Sequence, residues 1–339
     1  MSSAAISVLN RQPSLRQGGS FVAADVGGTH VRLAQVECSG HTGHAPQLQG
    51  FRQYRCADHA SLATILADFL ADTPEISEVV IASAGFPLAD GTVITANLPW
   101  PLSPKAIQTE LDLEAVHLVN DFEAVAYAAT QMDASEVLQL TGPSTAPRAP
   151  KLVLGPGTGL GAAVWIPTGE RGIVLATEAG QAALAVRSEL EMAVLQEMLK
   201  QRPHVSIEHA ISGPGLLNLY RSLCAVRGSQ PLHSSPDAVS AAALANSDPL
   251  ALEAAQMFCE LLGSVVGDMA LLYGAQGGIY LAGGILPKIR ELLVASRFVE
   301  RFLDKGPMRE ALQRIPVKLV EHGQLGIVGA ARWYLDQKH

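Results

Sequence analysis

Apolar residues in this chain come in short unbroken runs, in longer runs at helical spacing, and in stretches that break at glycines. Phe21–Ala24 is an apolar run interrupted by Asp25, Gly27, Gly28 and Thr29 and resumed over Val31–Val36, which predicts a strand, a tight turn and a returning strand. Between Ser61 and Ala71, Leu62, Ile65, Leu66, Phe69 and Leu70 recur at the spacing of one helix face. Glu78–Ala82 reads as a buried strand, followed by a turn centred on Gly91. Val116–Val119 reads as another strand, running straight into Asn120, Asp121 and the helical stretch "FEAVAYAAT". The segment "TGPSTAPRAP" at 141–150 has almost no apolar content and predicts a surface loop near a lobe boundary. After it, "KLVLGPGTGLGAAVWI" repeats the strand–turn–strand pattern about 130 residues beyond its first occurrence, so a weak internal duplication is expected. Helical patterns cover 188–200 and 250–273, "GGIYLAGGIL" is a strand ending in two glycines, and "GIVGAARWYLDQ" closes the chain as a helix. Alternating strands and helices over 339 residues predict an α/β protein in two lobes with a cleft between them.

Composition narrows the function. Hydrophobic residues make up 48% of the chain, enough to bury two cores. A net charge of −8, with no clustering of Lys or Arg, argues against a nucleic-acid or anionic-membrane partner. Cys38, Cys56, Cys224 and Cys259 are scattered and fit reduced cytosolic thiols rather than disulfides or a zinc site. Residues 1–20 have no sustained apolar stretch and are expected to form a disordered leader rather than a signal peptide. The charge-free windows 152–169 and 269–287 carry too many glycines for a bilayer helix. A soluble, cytoplasmic protein is expected.

The glycine turns carry the first chemical signal. Successive N–H groups in a turn without Cβ atoms can converge on a phosphate. Gly27-Gly28-Thr29 supplies such a turn, and Asp25 on the strand before it can face a Mg²⁺ held by the same phosphates, usually through water. Taken alone, the same residues also fit a plain hairpin with a turn aspartate. In the second loop, Gly157, Gly159 and Ala162 match a dinucleotide-binding spacing, with Glu178 placed like a ribose-binding acid. That reading needs a helix after the loop, whereas "AVWIPTGERG" is strand chemistry. A hairpin is therefore expected, and no P-loop motif occurs. Gly283-Gly284 can approach a purine or ribose, or can simply be required by packing after a buried strand.

In order and spacing, D-x-G-G-T-x-x-R (Asp25, Gly27, Gly28, Thr29, Arg32), G-x-G-T-G-L-G (Gly157, Thr158, Gly159, Gly161) and A-G-G-I (Gly283, Gly284) resemble the two phosphate motifs and the adenosine motif of the actin-like ATPase, or sugar kinase, superfamily. Within it, "VNDFEAVAYA", "HVSIEHAISGPGLLNLYRSL" and "IPVKL" are similar to the bacterial glucokinase branch, from about residue 21 to the C-terminus. The resemblance implies a two-lobed actin-like ATPase (ribonuclease H-like) fold with a central cleft. The small lobe would be 21–121 with the terminal helix 323–339 packed back on it, and the large lobe 122–322.

The resemblance also implies roles. A hydroxyl is a poor nucleophile at neutral pH, so a sugar kinase needs a carboxylate beside the attacking oxygen. Asp121 matches the family's base on the sugar 6-hydroxyl. Asn120 matches a ring-hydroxyl ligand, although Asn120 with Glu123 three residues on is also close to a helix capping box. Asn97, Glu178, Gln181 and Glu208 match positions lining the sugar; for Asn97 a turn residue, and for Glu208 a solvated helix acid, are the plain alternatives. Gln181 departs from the family, which has a histidine there. An amide still donates and accepts hydrogen bonds, so hydroxyl binding is retained in principle while affinity or epimer preference can shift. The histidines His204, His209 and His322 are read as surface or supporting residues, and the segment before the first strand is too short for a DNA-binding head. The expected activity is the Mg²⁺- and ATP-dependent phosphorylation of D-glucose to glucose 6-phosphate, feeding glycolysis. The alternatives are a kinase for another hexose or an amino sugar, and a weakly active sugar sensor of the same fold. Relatives are often homodimers, but no stretch of this chain identifies an interface.

Overall fold

The computed structural model describes residues 19–37, 46–88, 92–94, 98–130, 132, 134–169, 171–321 and 323–338. The leader up to residue 18, Cys38, the Gly91 turn, Asn97 and His322 lie outside the described residues. The chain forms two compact units, one running to Ala124 and completed by the segment from Gln324, the other spanning Val125–Gly323.

In the first unit β1 (Ser20–Val26), β2 (His30–Glu37) and β3 (Gln47–Arg55) form an antiparallel meander. Helix α1 (Leu62–Leu70) follows, its N-terminus closed by a capping box between Ser61 and Thr64. Strand β4 (Glu78–Ser83) pairs parallel with β1; a short ribbon, β5 (Phe86–Pro87) and β6 (Val93–Ile94), leads to α2 (Pro104–Glu110), and β7 (Ala115–Asn120) pairs parallel with β4. The sheet order is β3-β2-β1-β4-β7. Helix α3 (Asp121–Ala129) starts directly at the end of β7 and runs across the unit boundary.

Side chains of β1 alternate between two cores, as the period of a strand requires. Val22, Ala24 and Val26 pack with Leu62, Ile65 and Leu66 of α1; Phe21 and Ala23 pack with Ala124 and with Ile327, Ala330, Ala331 and Tyr334. The latter belong to α11 (Leu325–Lys338), named here ahead of the helices that precede it because it completes this unit. Both faces of β1 and β4 are buried, which explains why their sequences are nearly continuous apolar runs. The α11 face is built of small residues, and the approach is close. A Cβ on Gly329 would lie 1.8 Å from the Ala124 carbonyl oxygen, so only glycine lets α11 rest on α3 there. At its far end, Lys338 Nζ donates to Glu78 Oε1 and Oε2 of β4 at 3.1 and 2.9 Å.

The second unit contains β8 (Val137–Thr141), β9 (Lys151–Pro156), β10 (Leu160–Thr168) and β11 (Arg171–Thr177), the helices α4 (Glu189–Leu199), α5 (Gly213–Val226), α6 (Pro236–Leu244) and α7 (Pro249–Leu272), strand β12 (Ile279–Leu281), helices α8 (Arg290–Ala295), α9 (Phe298–Leu303) and α10 (Arg309–Leu312), and β13 (Val317–Val320). Its sheet order is β11-β10-β9-β12-β13-β8. Strands β9, β10 and β11 are antiparallel, and β12 and β13 continue parallel to β9, as β4 and β7 do on β1. The duplication suspected from the two glycine hairpins is thus a duplicated sheet topology, with β8 added antiparallel at the edge. The 141–150 loop, expected near a lobe boundary, instead joins β8 to β9 inside this unit. Among the described residues α7 alone is long and apolar enough to cross a membrane, and it is mostly buried as the core helix of this unit. Arg301 of α9, itself buried, donates to Glu191 Oε1 at 2.6 Å and Oε2 at 3.2 Å, to Glu260 at 3.2 Å and to Ser264 at 3.0 Å, joining α4, α7 and α9.

The α11–β4 contact gives a pH signature. The His117 imidazole and the Lys338 ammonium beside Glu78 hold its carboxyl below the usual carboxylate range. A depressed pKa contributes stability that is fully present above the unfolded-state value and is lost as pH falls through the folded one. Glu78→Gln is therefore expected to cost about 1–2 kcal/mol at neutral pH. Urea unfolding across pH should show that deficit holding down to the ordinary glutamate range and closing below it.

Candidate active site

In the first unit, register decides what stands together. Val26 of β1 is paired with Ser83 of β4, and Ser83 with Asn120 of β7. These parallel strands end at one edge of the sheet, and their spacing puts the backbone at Val26 and Asn120 about 10 Å apart. The residues that follow at that edge are Gly27-Gly28-Thr29 after β1 and Asp121 after β7.

The Gly27 turn is exposed and braced from behind. Gly27 N–H donates to His30 O at 3.1 Å, Cys56 N–H to Thr29 O at 2.9 Å, and the Cys56 thiol to Gly27 O at 3.2 Å. Cys56, read from the sequence only as a reduced thiol, is thus a strut beneath the glycine turn. Asp25 faces Arg32 directly across the β1–β2 ladder, and its Oδ2 accepts from Arg32 Nη1 at 2.9 Å. Burial pushes the Asp25 carboxyl up, against the downward pull of the Arg32 guanidinium. Helix α11 comes close here as well: a Cβ on Gly326 would stand 2.5 Å from Asp25 Cγ. Nothing in the linear pattern marks Gly326 as the neighbour of Asp25.

Asn120 caps α3. Its Oδ1 accepts from Phe122 N–H at 3.0 Å and Glu123 N–H at 3.1 Å, while Asp121 Oδ1 accepts from Phe122 N–H at 2.8 Å. The capping box is not completed by Glu123, whose Oε1 accepts instead from the Trp333 indole N–H of α11 at 3.1 Å. The cap uses the oxygen of Asn120; its amide donors are not part of it.

In the second unit β9 and β10 form an antiparallel hairpin, so the dinucleotide-binding alternative is excluded by geometry. The Gly157-Thr158-Gly159 turn is closed by Gly157 N–H to Gly159 O at 2.8 Å, and Gly213 N–H at the start of α5 donates to Gly157 O at 2.7 Å. Gly161 stands opposite Gly155 in the ladder. The sequence did not reveal what holds this turn on its other side. Glu208, on the 3₁₀ turn Ile207–His209, accepts from Leu160 N–H through Oε2 at 2.7 Å and from Gln181 Nε2 through Oε1 at 3.2 Å. A Cβ on Gly159 would fall 2.5 Å from Glu208 Oε2, so glycine at 159 makes room for that carboxylate. Glu178 is exposed and opens the 3₁₀ turn Ala179–Gln181, where its carbonyl accepts from Gln181 N–H at 2.9 Å. The sequence-predicted residues Glu178, Gln181 and Glu208 are therefore brought together, and Glu208 ties them to the second glycine turn.

Strand β12 lies beside β9, with Leu281 paired to Leu154. Gly283 follows it with φ +140°, and a Cβ there would come within 2.5 Å of Pro156 O, whereas Gly284 is exposed with open space around its Cβ position. Packing accounts for the first glycine of the pair, and the second presents bare backbone at the same sheet edge as the Gly157 turn.

The family model described as Glucokinase matches residues 22–337. A glucokinase-like protein of Xylella fastidiosa (strain 9a5c) is 61% identical, the match covering 94% of this chain and 96% of that one. A glucokinase of Saccharophagus degradans is 35% identical over 94% of this chain and 98% of its own. Among solved structures, glucokinase from an Antarctic psychrotroph superposes with a TM-score of 0.83 at 34% identity, covering 94% of this chain and 99% of that one. A sheet repeated in two units, each ending its first hairpin in a glycine turn, together with a family match over nearly the whole length, leads to one conclusion: the chain belongs to the glucokinase family, ATP-dependent sugar kinases of the two-lobed actin-like ATPase fold.

Proposed function

We propose that this protein transfers the γ-phosphoryl group of ATP to the 6-hydroxyl of D-glucose, with Asp121 as the base. The observation that carries this reading is the shared edge of the first sheet. Val26, which leads into the Gly27-Gly28-Thr29 turn, and Asn120, which precedes Asp121, end neighbouring strands about 10 Å apart, and this supports a phosphate tail at the turn with a hydroxyl near Asp121. Roles divide by unit. The first supplies the Gly27 turn and Thr29 to phosphate oxygens, Asn120 to a ring hydroxyl, and Asp121 to the reacting one. The second supplies the Gly157–Gly161 turn to phosphate, Gly284 and its neighbour Gly283 to the adenosine, and Glu178, Gln181 and Glu208 to the remaining sugar hydroxyls. Asn97 is assigned to the sugar on sequence grounds alone.

Asp25 fits a Mg²⁺ site. It is a single partly buried carboxylate beside a glycine turn, and Mg²⁺ takes one or two carboxylates from protein and the rest of its ligands from phosphates and water. Magnesium supplies charge neutralisation on the phosphates when bound. Arg32 keeps Asp25 oriented across the ladder, and the exposed N–H groups of the glycine turn stabilise charge on the transferring group. Asp121, one oxygen held by Phe122 N–H, accepts the 6-hydroxyl proton as the phosphoryl group moves. Fixing the ring by several hydrogen bonds brings that hydroxyl into line, which supplies rate without covalent chemistry.

One observation favours a second reading, a kinase for another hexose or an amino sugar: Gln181 donates to Glu208, so part of the acceptor capacity at the sugar end is already committed.

A coupled ADP-release assay across glucose, mannose, fructose, galactose and N-acetylglucosamine should give the highest kcat/KM for glucose; a higher value for another sugar would select the second reading, and turnover of none would refute both. Asp121→Asn is expected to lower kcat by about 10²–10⁴-fold while sugar binding stays within about two-fold. Asp25→Ala should raise the KM for Mg·ATP and leave sugar affinity nearly alone, and equal effects on both substrates would count against its assignment. Gly159→Ala should displace Glu208 from Leu160 N–H and raise the hexose KM by about ten-fold, the equivalent of one lost charge-assisted hydrogen bond.

A further inference from the structure

Beside the Ile207–His209 turn lies a small concavity whose lining residues have no role in the proposed phosphoryl transfer. It is a pocket of about 40 Å³ lined by Gln201 and Arg202 after α4, by His209, and by Asn218, Arg221 and Ser222 of α5. Two arginines and no acidic residue are among its lining residues, in a chain whose net charge is −8. Arg202 Nη1 donates to His209 Nδ1 at 2.9 Å, so that nitrogen carries no proton. Burial and the Arg202 charge push the His209 imidazole below its ordinary value. Asn218 Nδ2 donates to His209 O at 3.1 Å. Arg221 is exposed, and no side chain among the described residues pairs with its guanidinium. The nearest acid along the chain, Glu208, has its carboxylate engaged by Leu160 N–H and Gln181.

We propose that this pocket binds a phosphate group, held by Arg202 and Arg221 with the Asn218 amide and the Ser222 hydroxyl beside them. Its chemistry is that of a doubly charged tetrahedral anion: paired guanidinium forks match phosphate oxygens, and neutral donors complete the shell. Its size admits the phosphate itself and leaves any organic remainder outside, since about 40 Å³ holds only a few water-sized groups. Occupancy is felt at the site already described. An anion that draws Arg202 toward itself weakens the Arg202–His209 bond, and His209 adjoins Glu208, which holds both Leu160 N–H and Gln181. The binding part of this proposal is independent of the hexose kinase reading; only the link to Glu208 rests on it.

Isothermal titration of the full chain tests it, with ADP at saturation to fill the glycine turns. Inorganic phosphate and glycerol 3-phosphate are titrated separately, so that a free ion and a phosphate ester are distinguished. Saturable binding of either is expected, weakened at least about ten-fold in the Arg202→Gln/Arg221→Gln double variant. Absence of binding by both probes, or equal affinity in wild type and variant, overturns the site. Both side chains are exposed, and Arg221→Gln alone serves if the double variant melts early. In steady-state assays the hexose KM of the wild type should change with saturating phosphate and that of the variant should not. A KM unmoved by bound phosphate overturns the link to Glu208 and leaves no regulatory role for the pocket.

Discussion

The chemistry of this protein depends on strands that run the same way. Because β1, β4 and β7 are parallel and in register through Val26, Ser83 and Asn120, everything that follows their last residues gathers at one edge. Parallel neighbours cannot be joined by a tight turn, so each crossover has to travel back over a face of the sheet and cover it. The same requirement makes β1 and β4 apolar on both sides and leaves polar side chains to the strand ends. Shifting β7 by one residue would exchange its inward and outward faces and rotate Asp121 away from the edge it shares with the Gly27 turn. The site is therefore specified by core packing before any of its polar groups meet.

Helix α11 holds that edge from behind. It arrives some two hundred residues after the rest of its unit, an interval spanned by Val125–Gly323, and it touches β1, α3 and β4 in turn. Gly326 fits against Asp25, Gly329 against the α3 backbone at Ala124, Trp333 bonds Glu123 two residues after Asp121, and Lys338 pairs with Glu78 on β4. A larger residue at 326 or 329 would separate the helix from the carboxylate or from α3, because the neighbours there are backbone or the partly buried Asp25 carboxylate held by Arg32 rather than a yielding side chain. The first unit thus needs the end of the chain to complete its core.

Much of this was legible in the sequence, for local reasons. The helix after Ser61, the two glycine hairpins, the strand at 78–82 and the helix beginning at Asp121 all follow from turn chemistry and periodicity within a dozen residues. The hairpin at 155–161 was separable from a dinucleotide loop because the residues after it are β-branched and aromatic. What stayed hidden is contact between segments far apart in the chain. Cys56 beneath the Gly27 turn, Gly326 against Asp25 and the Leu160–Glu208 hydrogen bond have no local signature, since a thiol, a glycine and an acid each have commoner uses. The capping box at Asn120 was half right: the asparagine caps, but an indole N–H from α11 outcompetes the backbone for Glu123. The 141–150 loop was misplaced because polar composition marks a surface without telling whether that surface divides two units.

Glu208 gives the departure at Gln181 a physical meaning. An ionised carboxylate has about four acceptor positions, and two are occupied, one by Leu160 N–H and one by the Gln181 amide. The remaining positions are what a hydroxyl can use. Unlike an imidazole, the amide has no proton to gain or lose in the physiological range, so the donor facing Glu208 is the same at every pH at which the protein is folded. That donor is also neutral, which leaves the negative charge of Glu208 uncompensated by its partner and available to a ligand that brings hydrogen-bond donors. On the proposed reading, the exchange of a titratable ring for an amide makes the sugar end of the second unit insensitive to protonation at this position. Its hold on the glycine turn comes to rest on a single backbone N–H.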